Sequence, residues 1–472
     1  MKYIFIACAI LFSLPISAQN WVDIGNFNHP VKSFYNDSVT GEFILAGNFS
    51  KVNSDTIMGV ARWDGNIIAS YGCGLGWDCS TPFNTGGTWA YIASVVRYNS
   101  VLYATGWFTV AEAETINSLA YWDGISWKRV GSGLKYEGGS IASANGLKVI
   151  DNELYVFGGP FDSVAGVAAN SLAKYNGTSW STVNNFPHIT IGNTDYIYDI
   201  IKYNNELYVA GNFLSNSYPS DSIKNIIRWD GSQWKSVGGG MHGGMDEIST
   251  MVIYNNELYV GGTFVKAHGN IGNYIQKWNG TEWSDVGGGV LGAGGGNGQI
   301  NKLIVNNGKL YAVGVFQTAG GVTAQYIAYW DGINWCGLGS AFNNIITAVG
   351  FYKDTLYVGG GFTTIDGVSI NRVAKWIGGN YVDTCGNLTG ITEVIKGENS
   401  LSVYPNPTNG NITLSAPIKS VIEILNIEGR ILKTYIITEL NTQIDVADFA
   451  SGVYFVKAKI ENGIVVKKFI KL

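Results

Sequence analysis

The chain of 472 residues contains 63 glycines, while charged residues make up only 14% of it and aromatic residues 13%. Disordered proteins are rich in charge and poor in aromatic residues, and helical bundles contain few glycines, so both classes are excluded. The formal net charge of −5 provides no basic surface, and we therefore expect no nucleic-acid partner. The composition predicts an all-β protein with many tight turns.

The N-terminus has the pattern of a secretory signal peptide. Lys2 precedes an apolar stretch at residues 3–12, and small or polar residues then lead to Ala18. A stretch of this length is too short to cross a bilayer, which takes about 20 residues. We expect residues 1–18 to be removed on export, and no later stretch is long enough to predict a transmembrane segment in the mature chain.

Export changes the interpretation of the cysteines, because disulfides form in oxidising compartments. Four cysteines remain after the signal peptide. Cys73 and Cys79 enclose a short loop that a disulfide can close, and Cys336 and Cys385 then pair by elimination. The alternative is four free thiols, since the spacing is not that of a zinc site.

One strand-like motif, Leu-Tyr-Val-Gly-Gly-Thr-Phe in its fifth copy, recurs along most of the chain. Its copies lie at residues 43–49, 102–108, 154–161, 207–213, 258–264, 310–316 and 356–362. The final phenylalanines are 59, 53, 52, 51, 52 and 46 residues apart. Seven units at such a regular spacing indicate a repeat architecture.

Each unit divides into four short strands. In the fifth unit we predict strands at residues 248–254, 258–264, 274–278 and 283–286. Asn255-Asn256 and Asn279-Gly280 supply the tight turns, and Asn-Gly suits the type I′ turn. Four antiparallel strands repeated seven times predict a seven-bladed β-propeller over residues 19–385.

The repeats resemble those of kelch-like and galactose-oxidase-like propellers, and more closely those of the fungal cortical cell-polarity-marker family. That family's second half-motif is N-x-[IL]-A-x-W-[DN]-G-x-x-W, which residues 117–127 match. The resemblance implies the propeller fold and says almost nothing about activity.

The ends of the propeller are predicted to meet in one blade. Residues 21–25 have the pattern of a fourth strand although they precede the first unit. We expect them to complete the seventh blade, with residues 381–385 displaced or outside it. Eight blades is the alternative.

The remaining residues form a separate module. After a polar linker at residues 386–400, residues 401–472 alternate between apolar and polar and predict a small immunoglobulin-like β-sandwich. Residues 396–472 carry nine basic and seven acidic groups, in contrast to the acidic propeller. The competing interpretation is an ordinary accessory domain.

The module also resembles the type A C-terminal sorting domain of the type IX secretion system. The matching residues are Tyr404, Pro405, Asn406, Pro407, Gly410, Gly452, Tyr454, Lys467 and Lys468. The resemblance implies a Bacteroidota-type bacterium, handling by the type IX secretion machinery, removal of the domain, and release or attachment to surface lipopolysaccharide.

Candidate ligand contacts lie in the longer loops, because binding residues concentrate in loops on a rigid scaffold. Trp77, Trp89 and Trp107 can stack on sugar rings, or alternatively pack between blades. His242, Asp246 and Glu247 should lie near His268, and together they can bind a divalent metal. Solvated surface histidines are the alternative, and we expect no other cofactor.

Catalytic motifs are missing from the sequence. It has no Gly-x-Ser-x-Gly elbow and no His-Glu-x-x-His pair, and its acidic residues occur mostly in turns. The sequence therefore favours a secreted or cell-surface, non-enzymatic protein that binds a polysaccharide or a surface protein. A polysaccharide-degrading enzyme with acidic residues on the loop face is the first alternative, and a structural or adhesion component of the surface is the second.

Overall fold

The computed structural model describes residues 20–76, 90–112, 114–183, 186–187, 196–215, 223–267, 270–378, 385, 401–416, 418, 420–427, 430–439, 441–460 and 463–472. It divides into two compact units, residues 1–388 and residues 389–472. Both units are built from β-strands, which confirms the all-β class. Among the described residues, no helix is long and apolar enough to span a membrane.

The larger unit contains seven four-stranded antiparallel sheets, which follow one another along the chain. The first sheet comprises Val31–Asp37, Glu42–Gly47, Val60–Trp63 and Ile68–Ser70. The second comprises Tyr91–Tyr98, Val101–Trp107, Leu119–Trp122 and Trp127–Arg129. The third comprises Gly146–Ile150, Glu153–Phe157, Leu172–Tyr175 and Trp180–Thr182. The fourth comprises Tyr196–Tyr203, Glu206–Ser215, Ile223–Trp229 and Trp234–Ser236.

The last three sheets repeat this order. The fifth comprises Met241–Tyr254, Glu257–Ala267, Ile275–Trp278 and Trp283–Asp285, with Asn270–Ile271 paired beside its second strand. The sixth comprises Gln299–Asn306, Lys309–Val315, Ile327–Trp330 and Trp335–Gly337. The seventh comprises Ile346–Tyr352, Thr355–Gly360, Val373–Trp376 and the N-terminal strand Trp21–Asp23.

The N-terminal strand joins the last sheet as the sequence predicted. Trp21 pairs with Trp376, and Asp23 pairs with Ala374. The Trp21 side chain is fully buried between Phe342 and Trp376, and its indole N–H donates to Ser340 Oγ at 2.9 Å. The expected displacement of residues 381–384 lies outside the described residues.

The first strand of each sheet lies beside the first strand of the next sheet along the chain. The first strand of the seventh sheet also lies beside the first strand of the first sheet. We call each contact between neighbouring sheets a seam, and the contact between the seventh and first sheets the closing seam. Apolar side chains fill the seams. Those of the closing seam include Val31, Phe43, Tyr352, Tyr357 and Val373.

Two kinds of turn connect the strands, and the type I′ geometry occurs in the first kind. Asn255 and Asn256, between the first and second strands, have φ angles of 48° and 62°, so both central residues are left-handed. In the turn between the third and fourth strands only the glycine has positive φ, as at Gly124 (103°). Asp123 Oδ1 there accepts the amides of Ile125 and Ser126 at 2.8 Å, so an Asx turn replaces the expected type I′ turn.

The paired glycines of the second strand have separate packing roles. A Cβ on Gly261 would meet Ile300 and Leu303 of the next sheet, so this glycine allows the two sheets to approach closely. A Cβ on Gly262 would instead meet the backbone of Glu247, in the first strand of the same sheet. That strand bulges opposite Gly262, and glycine allows the bulged backbone to come close.

Small additional elements lie in the connections of this unit. Two-residue hairpins occur at Lys51–Val52 with Asp55–Thr56, Val110–Ala111 with Glu114–Thr115, and Thr364–Ile365 with Val368–Ser369. A three-stranded sheet contains Val290–Leu291, Thr318–Ala319 and Val322–Thr323. A four-stranded one contains Ser140–Ile141, Leu134–Tyr136, Ser163–Val164 and Val167–Ala168. The 3₁₀ turns are Glu137–Gly139 and Ala293–Gly295.

The smaller unit consists of two sheets. One contains Ser402–Tyr404, Asn411–Ser415 and Asn441–Asp445. The other contains Ile431–Ile436, Val421–Leu425, Gly452–Ile460 and Gly463–Lys471, in that order. Both contribute buried side chains to one core, including Ile412, Leu414, Ile424, Val456 and Phe469, as in a small β-sandwich.

Candidate functional site

The first strands of the seven sheets line a cavity of about 650 Å³, which we call the channel, and each of these sheets contributes to its wall. In six of the seven sheets the first strand has a register shift that leaves one bulge residue unpaired. These bulge residues are Lys32, Ala93, Tyr198, Ser249, Asn301 and Thr347. All six line the channel, so the bulges determine which side chains line its wall.

Polar channel residues also connect neighbouring sheets. At three seams a side chain donates a hydrogen bond to a carbonyl of the next first strand. The pairs are Asn145 Nδ2 with Ile197 O (3.1 Å), Asn301 Nδ2 with Ile346 O (2.8 Å) and Thr347 Oγ1 with Val31 O (3.1 Å). The last of these crosses the closing seam.

The residue after the bulge makes the complementary contact, in which its side chain accepts an amide N–H of the next first strand. The pairs are Ser94 Oγ with Leu147 N (3.2 Å), Asp199 Oδ2 with Met251 N (2.8 Å) and Thr250 Oγ1 with Leu303 N (3.3 Å). Ser and Thr therefore suffice for this contact, and the negative charge of Asp199 is not needed for it.

Asp199 is only 2% exposed, and its carboxylate has three partners. Besides Met251 N–H, it accepts the Ile200 amide at 2.9 Å and forms a 2.5 Å ion pair with Lys148 Nζ. Lys148 also donates to Ile200 O at 2.7 Å. The carboxylate thus links the third, fourth and fifth sheets, and its charge is balanced by Lys148.

Two further lysines of the channel have no such partner. Lys32 and Lys302 line the wall, and neither forms an ion pair or side-chain hydrogen bond with another described residue. Burial lowers the pKa of Lys302, an effect that Asp199 opposes and Lys148 increases. The Lys302 side chain is accessible to solvent within the channel but surrounded by protein, and burial likewise lowers the pKa of Lys32.

Aromatic and acidic groups of three first strands also line the channel. Burial raises the pKa of Glu247 more than its 3.0 Å hydrogen bond from Ser249 Oγ lowers it. Burial, followed by the charge of Glu247 and by Tyr196 and Tyr91, raises the pKa of Tyr198. Tyr91, Tyr198 and Glu247 all line the channel. They give this region aromatic rings beside hydrogen-bonding groups.

Of the three tryptophans predicted to contact a ligand, only Trp107 belongs to the described residues. Trp77 and Trp89 lie outside the described residues. Trp107 ends the second strand of the second sheet, where it pairs with the channel residue Tyr91, and it is 50% exposed. Its ring is therefore accessible next to a residue of the channel wall.

The predicted metal ligands stay a prediction. His242 lies in the first strand of the fifth sheet, which extends through residues expected to form a loop, and its backbone pairs with Lys266. The side chains of His242 and Asp246 and the whole of His268 lie outside the described residues. Within the described part, the potential ligand atoms of Asp331, Cys336 and Cys385 lie within 4.8 Å of one another, but the two sulfurs form a disulfide.

The cysteine predictions have two outcomes. Cys336 and Cys385 are bonded, with Cα atoms 4.1 Å apart, and the Tyr329 hydroxyl lies 3.0 Å from Cys385 Sγ. Cys73 is disulfide-bonded, while its expected partner Cys79 lies outside the described residues.

In the smaller unit, the Tyr-Pro-Asn-Pro segment contacts the last strand. Asn406 Nδ2 donates to Lys468 O, and Asn406 Oδ1 accepts the Ile470 amide, both at 2.9 Å. Tyr454 stacks on Phe469 with ring centroids 5.5 Å apart. The segment thus fixes the end of the sandwich.

The exposure of the other motif residues differs. Tyr404 is 47% exposed, and the Lys467 and Lys468 side chains are also exposed. Pro405 and Pro407 follow cis peptide bonds. Gly410 donates its amide to Thr408 Oγ1 at 3.3 Å, and Gly452 begins a strand.

Sequence reasoning missed the charged residues of the channel. Lys32, Lys148, Asp199 and Lys302 each lie within a first strand. A signal was present, because a charged residue in the middle of a short, mostly apolar strand is unusual. It was not used, because the binding site was expected in the longer loops.

Comparison with known proteins identifies the smaller unit. Residues 402–472 match the family described as "Secretion system C-terminal sorting domain". No curated protein matches the chain. The kelch-like and cell-polarity-marker resemblance of the repeats is not confirmed by these matches and stays a prediction.

Several solved structures are similar to the chain. One is PorZ, an essential bacterial surface component of the type IX secretion system of human oral-microbiomic Porphyromonas gingivalis, with 14% identity, a TM-score of 0.46, and 95% of this chain and 59% of that chain covered. Another is the extracellular domain of the putative hybrid two-component system BT4673 from B. thetaiotaomicron, with 12% identity, a TM-score of 0.41, and 96% and 58% covered. The chain thus spans less than two thirds of the length of either protein. The sorting domain at residues 402–472 indicates that this protein is exported through type IX secretion to the cell surface or the extracellular space.

Proposed function

We propose that the exported chain is a non-enzymatic seven-bladed β-propeller that binds a polysaccharide in its central channel. Three features support the propeller arrangement. The chain contains seven successive four-stranded sheets, their first strands are neighbours in a cyclic order, and the N-terminal strand completes the seventh sheet. In such an arrangement each four-stranded sheet is one blade around a central channel.

The observation that carries the binding function is the composition of the channel wall. A volume of about 650 Å³ is within the range of about 300–1,000 Å³ typical of ligand sites. Tyrosine rings, side-chain amides and ammonium groups face it together, and these are the groups that stack on sugar rings and hydrogen-bond their substituents. Trp107, half-exposed beside Tyr91, extends this surface beyond the wall.

A polysaccharide-degrading enzyme is less well supported. Glycoside hydrolysis ordinarily uses two carboxyl groups at the scissile bond. The channel wall has two carboxyl groups among the described residues, Asp199 and Glu247. Asp199 is held by Lys148 and two backbone amides, which leaves Glu247 without a second available carboxyl in this part of the protein.

A blocked channel tests the proposal. Ala93 is a small bulge residue on the wall, and Ala93→Trp would fill part of the channel. The matched control is Ile125→Trp, because Ile125 is 85% exposed in a turn. Thermal-shift titration of the mature full chain with a panel of neutral and acidic polysaccharides supplies the readout, since a ligand at 100 times its Kd adds about 2.7 kcal/mol of stability.

We expect at least one polysaccharide to shift the melting temperature of the unmodified chain and of Ile125→Trp, and not that of folded Ala93→Trp. A melting-temperature shift that persists in Ala93→Trp would show that the polysaccharide binds outside the channel, for example on the surface around Trp107. A panel that produces no shift in the unmodified chain would contradict polysaccharide binding and favour a protein ligand or a structural role.

A further inference from the structure

The charges of the channel wall do not balance among the described residues. The wall contains Lys32, Lys148, Lys302 and Arg97, against Asp199 and Glu247. Arg97 is neutralised from outside the wall, because its guanidinium contacts both carboxylate oxygens of the fully buried Asp37 at 2.5–2.9 Å. The remaining groups are three ammonium groups and two carboxyls.

Neither carboxyl is available to Lys302. Asp199 is committed to Lys148 at 2.5 Å and to two backbone amides. Glu247 accepts a hydrogen bond from Ser249, and burial disfavours its charged form. Lys302 forms no ion pair within 4.0 Å in the described part of the protein, although Lys148 and Asp199 act on it electrostatically. The Lys302 amino group therefore lines the channel without an ion-pair partner among the described residues.

The fold does not require a lysine at this position. Lys302 follows the bulge of the sixth sheet, and the equivalent residues of the other bulged strands are Ser33, Ser94, Asp199, Thr250 and Ala348. Four of these are small and uncharged, and three of the five side chains, those of Ser94, Asp199 and Thr250, accept an amide N–H of the next first strand, which an ammonium group cannot do. Lys302 thus occupies a scaffold position without performing its scaffold role.

Lys302 is adjacent to groups that suit a sugar. The bulge residue before it, Asn301, accepts a 2.8 Å hydrogen bond from the side-chain nitrogen Nε2 of Gln299. The side-chain oxygen Oε1 of Gln299 has no donor among the described residues and can accept a hydrogen bond from a ligand. Tyr91 and Tyr198, on the second and fourth sheets, line the same channel. An ammonium group that shares a cavity with amides and aromatic rings suits a sugar with a negatively charged substituent better than it suits a neutral sugar.

We propose that the channel binds an acidic saccharide whose carboxylate or sulfate group is held by Lys302, with Lys32 as a second cation on the wall. This inference rests on the proposed function and specifies its ligand class. A bound anion supplies the charge that the wall lacks, and it does so inside a partly desolvated channel where the interaction is less screened than on the surface.

The test compares matched ligands with matched variants of the mature full chain. The ligands are oligogalacturonate, oligoalginate and chondroitin sulfate oligosaccharides, each beside its methyl-esterified or desulfated form. The variants are Lys302→Met and, as a control for the loss of one positive charge, Lys51→Met, because Lys51 is exposed in a hairpin away from the channel wall. Calorimetric titration at constant salt measures the Kd.

We expect at least one acidic oligosaccharide to bind the unmodified chain. Its Kd should rise about tenfold or more when the oligosaccharide is neutralised, and again about tenfold or more when the acidic form is titrated into Lys302→Met. The Kd of the acidic form for Lys51→Met should equal that for the unmodified chain. The melting temperature of ligand-free Lys302→Met should not fall, because the position makes no scaffold contact. This result separates a lost ligand contact from misfolding.

Three outcomes would overturn the inference. Equal binding of the acidic and neutralised forms would reject the anionic group while leaving polysaccharide binding intact. Equal losses of affinity in Lys302→Met and Lys51→Met would show that the effect comes from the net charge of the protein and not from a contact at Lys302. Binding of no saccharide at all, acidic or neutral, would reject this inference together with the proposed function.

Discussion

The closing seam and the seam between the fifth and sixth sheets are held by the same kinds of contact. In the latter, the Tyr254 hydroxyl donates to Gly308 O at 2.9 Å across 54 residues of sequence. At the closing seam, the Tyr352 hydroxyl donates to Gly41 O at 2.8 Å across 311 residues. The first and seventh sheets are therefore joined by a copy of the internal contact. The closing seam differs in sequence separation, so its contacts form only when almost the whole unit is in place.

The N-terminal strand also joins the beginning of the larger unit to its seventh sheet, and disrupting this strand should have the largest effect. Trp21→Ala would leave a cavity among Phe342 and Trp376 and remove the bond to Ser340, and we expect it to lower the free energy of unfolding by about 3–5 kcal/mol. Denaturant unfolding of the mature chain measures this loss.

Two other tryptophans calibrate that result. Trp127 is fully buried in an internal seam, whereas Trp107 is 50% exposed. Trp127→Ala should destabilise the chain by an amount similar to Trp21→Ala, and Trp107→Ala should have almost no effect. If Trp21→Ala resembled Trp107→Ala instead, the N-terminal strand would contribute little to the stability of the seventh sheet.

The carboxylate of Asp199 connects the fourth sheet to the third through Lys148 and to the fifth through the Met251 amide, and Asp199→Asn removes its charge while keeping the shape of the side chain. The substitution weakens the bonds to Lys148 and the Met251 amide, and we expect a loss of about 1–3 kcal/mol, reduced because Lys148 is one-third exposed. The control is Asp331→Asn, because the equivalent turns of the third and fifth sheets already contain Asn176 and Asn279. Equal stability of the two variants in denaturant unfolding would mean that the buried pair is dispensable.

Much of the scaffold was predictable because it repeats. The recurrent motif predicted the order of four strands in each unit, and the pattern of residues 21–25 predicted the strand that completes the seventh sheet. The sequence did not predict the bulges, because one inserted residue changes the alternation of apolar and polar residues too little to stand out in such short strands. The fifth sheet's long first strand was missed for a related reason, because the glycine-rich stretch before Glu247 was expected to form a loop.

The candidate site was harder to predict than the scaffold because it consists of departures from the repeat. Lys302 and Asp199 occupy a position that elsewhere holds Ser, Thr or Ala, and only the register of the strands identifies this position. Aligned copies can show which residue is different. They do not show that Lys148 already neutralises Asp199 while Lys302 has no ion pair within the described part of the chain.

The smallest expected effects compare single hydroxyl groups at the two seams. Tyr254→Phe leaves one carbonyl without its donor, and we expect a loss of about 1 kcal/mol in denaturant unfolding. Tyr352→Phe should cost at least as much, because its hydroxyl also lies 2.9 Å from Asp64 O. Tyr121→Phe is the control, since no described residue hydrogen-bonds to its hydroxyl. Sequence separation should not increase the Tyr352→Phe loss, because both variants have the same chain entropy in the unfolded state. A much larger loss at Tyr352 would therefore mean that the closing seam depends on this hydroxyl in a way that the internal seam does not.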